Sequence, residues 1–360
     1  MTDKPTPEWL EAQVLAAEPL RKLSLAGALL RGRILAGGTF EQVDFSGADL
    51  TGADLRECVF INCRFDQALL NRARCNDGTW QGCKLEGVPA RGSNWARSQL
   101  VQCHLDWVDL SKSSLKETCF AECKLSDCRF SGAYIELTSF IATRLDGSDF
   151  SDTELKRPVL YQCDLRRVRF DGCSILLGAL VEANLAGQTL AGLNLSQTQF
   201  IGADLSGIDL SNARLNQCSF QNAKLAQARL DGAIADSALF ITADLTGASL
   251  QAAVLEQALL TECKAQGANF SNARATMSQW QRADCRQARM INMHLDYADF
   301  SNADLSGADL SGCLLERANL HAILDLDARI PDRKGTLGTD RDRLKAQRWQ
   351  PSPAPAARGS

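Results

Sequence analysis

Residues 301–313 read SNADLSGADLSGC, and within them one five-residue phrase occurs twice without a gap. An α-helix repeats its apolar face every three to four residues and a strand every two, so a period of five belongs to neither. The phrase is a sample of the whole chain. From Leu25 to Leu320 every residue whose number ends in 0 or 5 is apolar, sixty positions in succession, of which forty-eight are Leu or Phe. All fourteen Phe lie on this lattice. Two residues earlier runs a second column of mostly small residues, among them Ala48, Ala53, Cys58 and Cys63, and later Ala298, Ala303 and Ala308. Between residues 21 and 320 the two columns hold one charged residue, Arg33, and no insertion breaks the register.

Such a period becomes intelligible if each pentapeptide is one side of a square coil. Four sides then make a turn of twenty residues, and turns stack by strand-like hydrogen bonding about 4.8 Å apart. The lattice residue and the small residue two before it point inward; the other three face solvent. Glycine supports this reading. Twenty of the 26 Gly sit at numbers ending in 2 or 7, between one side and the next, and Asn62, Asn212, Asn222, Asn272, Asn292 and Asn302 share that slot. Gly and Asn tolerate the positive φ of a tight corner.

At this point "GADLTGADLREC", "ANFSNARA" and "ADLSGADLSG" resemble the A(D/N)LXX motif of the pentapeptide-repeat family. The resemblance implies an all-β fold, a right-handed quadrilateral parallel β-helix. Over residues 21–320 it would give about fifteen coils and a rod about 70 Å long. The ends need covers, since an open coil exposes apolar residues and unpaired backbone groups. Thr6-Pro7-Glu8 predicts a helix start, and Trp9, Leu10, Val14 and Ala17 would form the apolar side of an N-terminal cap over residues 1–20. Residues 321–360 form the expected C-terminal cap and basic tail: Asp325 takes a lattice position, TDRDRLKAQRW at 339–349 is a short polar helix, and PSPAPAARGS is disordered.

Composition narrows the function. The net charge is −4, yet residues 326–360 carry eight Lys or Arg against four Asp, so the tail is basic and the body acidic. No nucleic-acid footprint or membrane-spanning run is expected, and no signal-peptide pattern opens the chain; the expected location is cytoplasmic. Of the fourteen Cys, eleven occupy the small column and Cys75 and Cys285 the large one, leaving Cys119 outside both. They read as small buried hydrophobes with free thiols, not a disulfide or zinc framework. His104, His294 and His321 stand apart from any nucleophile or Cys pair, and no phosphate loop is present. No cofactor, metal or catalytic residue is expected, so the chain reads as non-enzymatic.

Outward residues twenty apart share a column. On the side that carries eight of the fourteen Phe, one outward column contains Ile61, Val101, Ile141, Tyr161, Val181, Ile201 and Ile241. It can be read as β-branched side chains packing in a ladder or as an apolar docking face for a protein partner or a second copy of the chain. Trp107, Tyr134, Tyr297 and Trp349 are further outward aromatic anchors. Pro158, Gln188 and Leu193 depart from the small-residue column, and Pro158 is expected to distort its coil. The family resemblance implies two functions. One is a protein-binding scaffold or adaptor, such as an accessory of a bacterial secretion or effector system; the other is a duplex-DNA mimic acting on gyrase. A mimic needs unbroken columns of carboxylates, whereas here Arg129, Asp149, Arg169, Asp209 and Arg229 alternate.

Overall fold

The computed structural model of the chain describes residues 5–347 and 349. Its repeating unit is set by backbone hydrogen bonds between residues about twenty apart: Leu25 N donates to Asp44 O at 2.7 Å, Gly27 N to Ser46 O at 2.9 Å, and Asp44 N back to Leu23 O at 2.9 Å. An eight-stranded parallel sheet forms one side, from Leu20–Arg21 and Thr39–Glu41 through Val59–Ile61, Thr79–Gln81, Gln99–Val101, Cys119–Ala121 and Ser139–Ile141 to Val159–Tyr161. Phe40 pairs with Phe60 and Phe60 with Trp80, so each rung advances by one turn. On a second side, Ile135–Glu136, Glu154–Lys156 and Ser174–Leu176 make a three-stranded sheet. The fold is the right-handed quadrilateral parallel β-helix. Regular strands mark eight turns on the longer sheet, fewer than the expected fifteen coils. Beyond these two sheets neighbouring coils touch through single bridges in the same register, as far as Asp309 and Arg329.

The lattice is the core. All sixty residues from Leu25 to Leu320 are 7 % exposed or less. Because coils stack at the spacing of β-strands, rings one turn apart meet face to face: Phe120 and Phe140 lie 5.1 Å apart at 6°, and Phe200, Phe220 and Phe240 follow at 5.1 and 4.9 Å. The small column is buried too, apart from Leu23, Ala28, Arg33, Gln188 and Leu193. At Gln188 the axis is not left with a bare amide. Its Nε2 donates to Leu165 O and Val168 O, both at 2.8 Å, and its Oε1 accepts from Thr189 N.

Corners force the backbone into the left-handed region. Every fifth residue from Lys22 to Asp327, Arg167 excepted, has positive φ, including Leu137, Trp107 and Thr242. Glycine is thus the cheap occupant of a corner that other residues adopt against a cost of about 1–2 kcal/mol.

Most corners close with a bond from the small-column N–H to the lattice carbonyl three residues back, as Ala48 N to Phe45 O at 2.9 Å. The corners after Phe40, Phe60, Trp80, Leu100, Phe120 and Phe140 lack it. Their carbonyls accept instead from the coil above: from the thiols of Cys63, Cys83, Cys103 and Cys123, the hydroxyl of Thr143 and the thiol of Cys163. Cysteine is therefore a hydrogen-bond donor here as well as a small hydrophobe. Burial pushes the Cys58 thiol up to about 12 and that of Cys163 to about 11. All fourteen cysteines are free, and only Cys119 is part-exposed. Pro158 occupies such an open corner, between Thr138 and Gly178, where no N–H is used. The register across it is intact, Leu160 pairing with Phe140.

Helix α1, Pro7–Leu15, covers the first coil, with Thr6 as N-cap and Pro7 at its start. Only Leu10 and Val14, four residues apart on one helical face, turn inward; Trp9 is 42 % exposed, and Ala17, past the helix end with φ of 56°, is exposed. Arg33, the one charge in the inward columns, reaches Glu8 at 2.6 Å and Glu11 at 3.3 Å, and Ile34 N donates to Glu11. At the far end Leu337 pairs with Asn319, and Asp325 forms an ion pair with Arg333. Buried His321 accepts from Asp340 N at 3.2 Å and meets Gln347 at 3.1 Å, tying α2, Arg341–Gln347, to the last coil. PSPAPAARGS lies outside the described residues.

Candidate protein-docking face

The side built on Phe40, Phe60 and Trp80 differs from the other three in charge. Two outward columns flank its lattice residues. One runs Val59, Thr79, Gln99, Cys119, Ser139, Val159, Ala179, Gln199, Ser219, Leu239, Leu259; the other runs from Ile61 to Thr261. Neither contains a charged residue over that length. Strand pairing places Ile61, Val101, Ile141 and Tyr161 in one register. Hydrogen bonds from Gln162 N to Val181 O, Glu182 N to Ile201 O and Asn222 N to Ile241 O carry the column onward. All seven apolar residues are half-buried. Their stems pack against the coils above and below, and their outer faces meet solvent. The ladder packing expected of β-branched residues and an accessible apolar stripe are thus both present in one column.

The other candidates stand elsewhere. Trp107 is 60 % exposed on the next corner round, Trp349 is 72 % exposed beyond α2, and neither joins the stripe. Tyr134 donates to Glu136 of its own coil at 2.6 Å, and Tyr297 lies under the Arg317 guanidinium of the next coil, so both aromatics have partners within the chain.

On the remaining sides charges pair within and between coils. Arg166 binds Asp164, Arg286 binds Asp284, Arg169 binds Asp149 and Arg229 binds Asp209. The Arg166 and Arg286 guanidiniums hold the carboxyls of Asp164 and Asp284 below the usual range. The longest acidic run beside them, Asp66, Glu86 and Asp106, runs next to the column of Arg64, Lys84 and His104, and Asp66 pairs with Arg64 at 3.4 Å. Phosphate mimicry would need carboxylates free of neighbouring bases, and these are compensated.

Two repeat profiles described as "Pentapeptide repeat region" and "Pentapeptide repeats (8 copies)" match residues 34–110 and 103–177, then 180–217, 213–250, 238–274 and 283–321. The chain belongs to the pentapeptide-repeat family. Among solved structures, the pentapeptide-repeat protein HetL, involved in heterocyst differentiation regulation in the cyanobacterium Nostoc, is 20 % identical, with 91 % of this chain and 100 % of HetL covered at a TM-score of 0.22. QnrB1, a plasmid-mediated fluoroquinolone resistance protein, is 21 % identical over 59 % of this chain and 91 % of its own, at a TM-score of 0.19. A pentapeptide-repeat protein of the Arabidopsis thaliana thylakoid lumen is 27 % identical over 37 % and 72 % of the two chains, at a TM-score of 0.18. No curated protein matches. Among the described residues, no helix is long and apolar enough to cross a membrane.

Proposed function

We propose that this pentapeptide-repeat protein is a non-enzymatic scaffold that docks a protein partner along its uncharged side. The observation that carries the reading is the pair of charge-free columns between Val59 and Leu259, against three sides laced with ion pairs. A stacked coil keeps these side chains in a fixed straight register, so binding requires little ordering of the scaffold. The partner that fits presents an apolar strip of its own, and a second copy of the chain satisfies the same requirement.

Joint Ile141→Asp and Ile201→Asp replacement tests this. Both side chains are half-buried rather than axial, so circular dichroism and melting should stay close to the parent. Quantitative affinity capture from the native host, with light scattering for self-association, should show the partner or the dimer reduced about tenfold or more, in line with a hot-spot loss above ~1.4 kcal/mol. A control Ser114→Asp on an adjoining side should bind as the parent does. Equal capture and an equal oligomeric state in all three proteins would contradict the docking face.

A further inference from the structure

On the corner diagonally across from the apolar stripe, two columns run side by side. One reads Arg31, Thr51, Asn71, Arg91, Ser111; the other reads Gly32, Gly52, Arg72, Gly92, Lys112, Gly132. Glycines alternate with long cations, and the absent side chains leave room. A Cβ added at Gly52 would meet nothing within 4 Å, and one at Gly92 only the Arg72 stem at 3.8 Å. The result is a groove of about 510 Å³ lined by Arg31, Thr51, Asn71, Arg72, Arg91, Gly92 and Lys112.

Its cations stand outside the ion-pair network. Arg21, Arg33, Arg56, Arg74 and Arg97, on the same early coils, all make ion pairs. Arg31, Arg72, Arg91 and Lys112 make none among the described residues, and their side chains form no hydrogen bond. No carboxylate lines the groove. The nearest acids on the adjoining side, Asp49 and Asp109, accept from the backbone N–H of Thr51 and Ser111, although Asp49 still lies in the field of Arg31. Asn71 accepts from Arg91 N through its Oδ1, which leaves its amide N–H₂ without a protein partner. Four cations and a free amide donor therefore converge on a space of small-molecule size.

We propose that this corner groove binds the polyphosphate group of a small molecule. Guanidinium forks and an ammonium suit phosphate oxygens. Arg72 and Lys112 stand two coils, about 9.6 Å, apart at the backbone, so they grip a chain of phosphates from its two ends. A single carboxylate would leave most of the charge unmatched, whereas linked phosphates, each terminal one near −2 when ionised, match it. Inorganic polyphosphate and a nucleoside polyphosphate share this chemistry.

Isothermal titration of the full chain with sodium tripolyphosphate and with ATP separates the sources. Saturable one-to-one binding of both is the expected result. Equal affinity assigns the site to the phosphate chain alone, and tighter ATP binding adds a nucleoside contact. Joint Arg72→Glu and Lys112→Glu replacement should weaken binding about tenfold or more. The milder Arg72→Gln and Lys112→Gln pair, for which folding is not in question, should weaken it in the same direction. A control with Lys124→Glu and Arg144→Glu, two unpaired cations on another side, changes net charge equally and should retain the parent affinity. No saturable heat with either probe, or equal loss in the control, would overturn the assignment.

Discussion

Phe140→Asp should melt the middle of the coil and leave both ends folded. Phe140 is fully buried, stacked on Phe120 and edge-on to Phe130 and Phe150. Removing a buried ring costs about 3–5 kcal/mol, and an unpaired carboxylate on a dry axis adds a desolvation penalty. In a stacked repeat each coil contacts only its neighbours, so the damage is local. Hydrogen exchange read by mass spectrometry should show lost protection across about residues 120–160, with the first and last coils protected as in the parent. Uniform loss along the chain, or unchanged protection at Phe120 and Leu160, would count against an axis built coil by coil.

The second large effect is expected at Trp95, and it differs from that at Trp80. Trp95 is buried, with its indole Nε1 donating to Ser93 Oγ at 2.6 Å; Trp280 repeats the arrangement with Ser278 at 2.7 Å. Trp80 has Gly78 two residues before it, and its Nε1 is buried without a partner. Trp95→Ala should cost about 3–5 kcal/mol, since it leaves a void beside Trp80 and removes a satisfied donor. Trp80→Phe should cost far less, because the lost indole area is offset by removal of an orphaned N–H worth about 1–3 kcal/mol. Chemical denaturation of both variants checks this, and equal losses would mean that the Ser–Trp pairing is energetically idle.

The lattice was legible in the sequence because a charge at Leu25, Phe140 or Leu320 would stand on the axis, and selection for burial leaves a count that needs no alignment. The site was half legible. The numbering alone set Ile61, Val101, Ile141 and Ile201 in one column, while their half-burial required the neighbouring coils. Cys63, Cys83, Cys103 and Cys123 read as interchangeable with alanine because size is visible in a sequence and an open corner is not; the carbonyls they satisfy lie twenty-three residues back. Arg33 stood out as an anomaly, but its explanation, two glutamates on α1, depends on where the cap lies. The basic groove emerges only when Arg31, Arg72, Arg91 and Lys112 are stacked and their missing partners counted.

Thiol labelling of the native chain tests the architecture most directly, because the fourteen cysteines sample both inward columns and one outward position. A small maleimide, with products counted by intact mass and located by peptide mapping, should modify Cys119 alone in the folded protein. All fourteen should react after unfolding without reductant. Rapid native labelling at Cys63, Cys103, Cys218 or Cys263 would contradict a wall of inward side chains at every fifth residue, as would fewer than fourteen reactive thiols in denaturant.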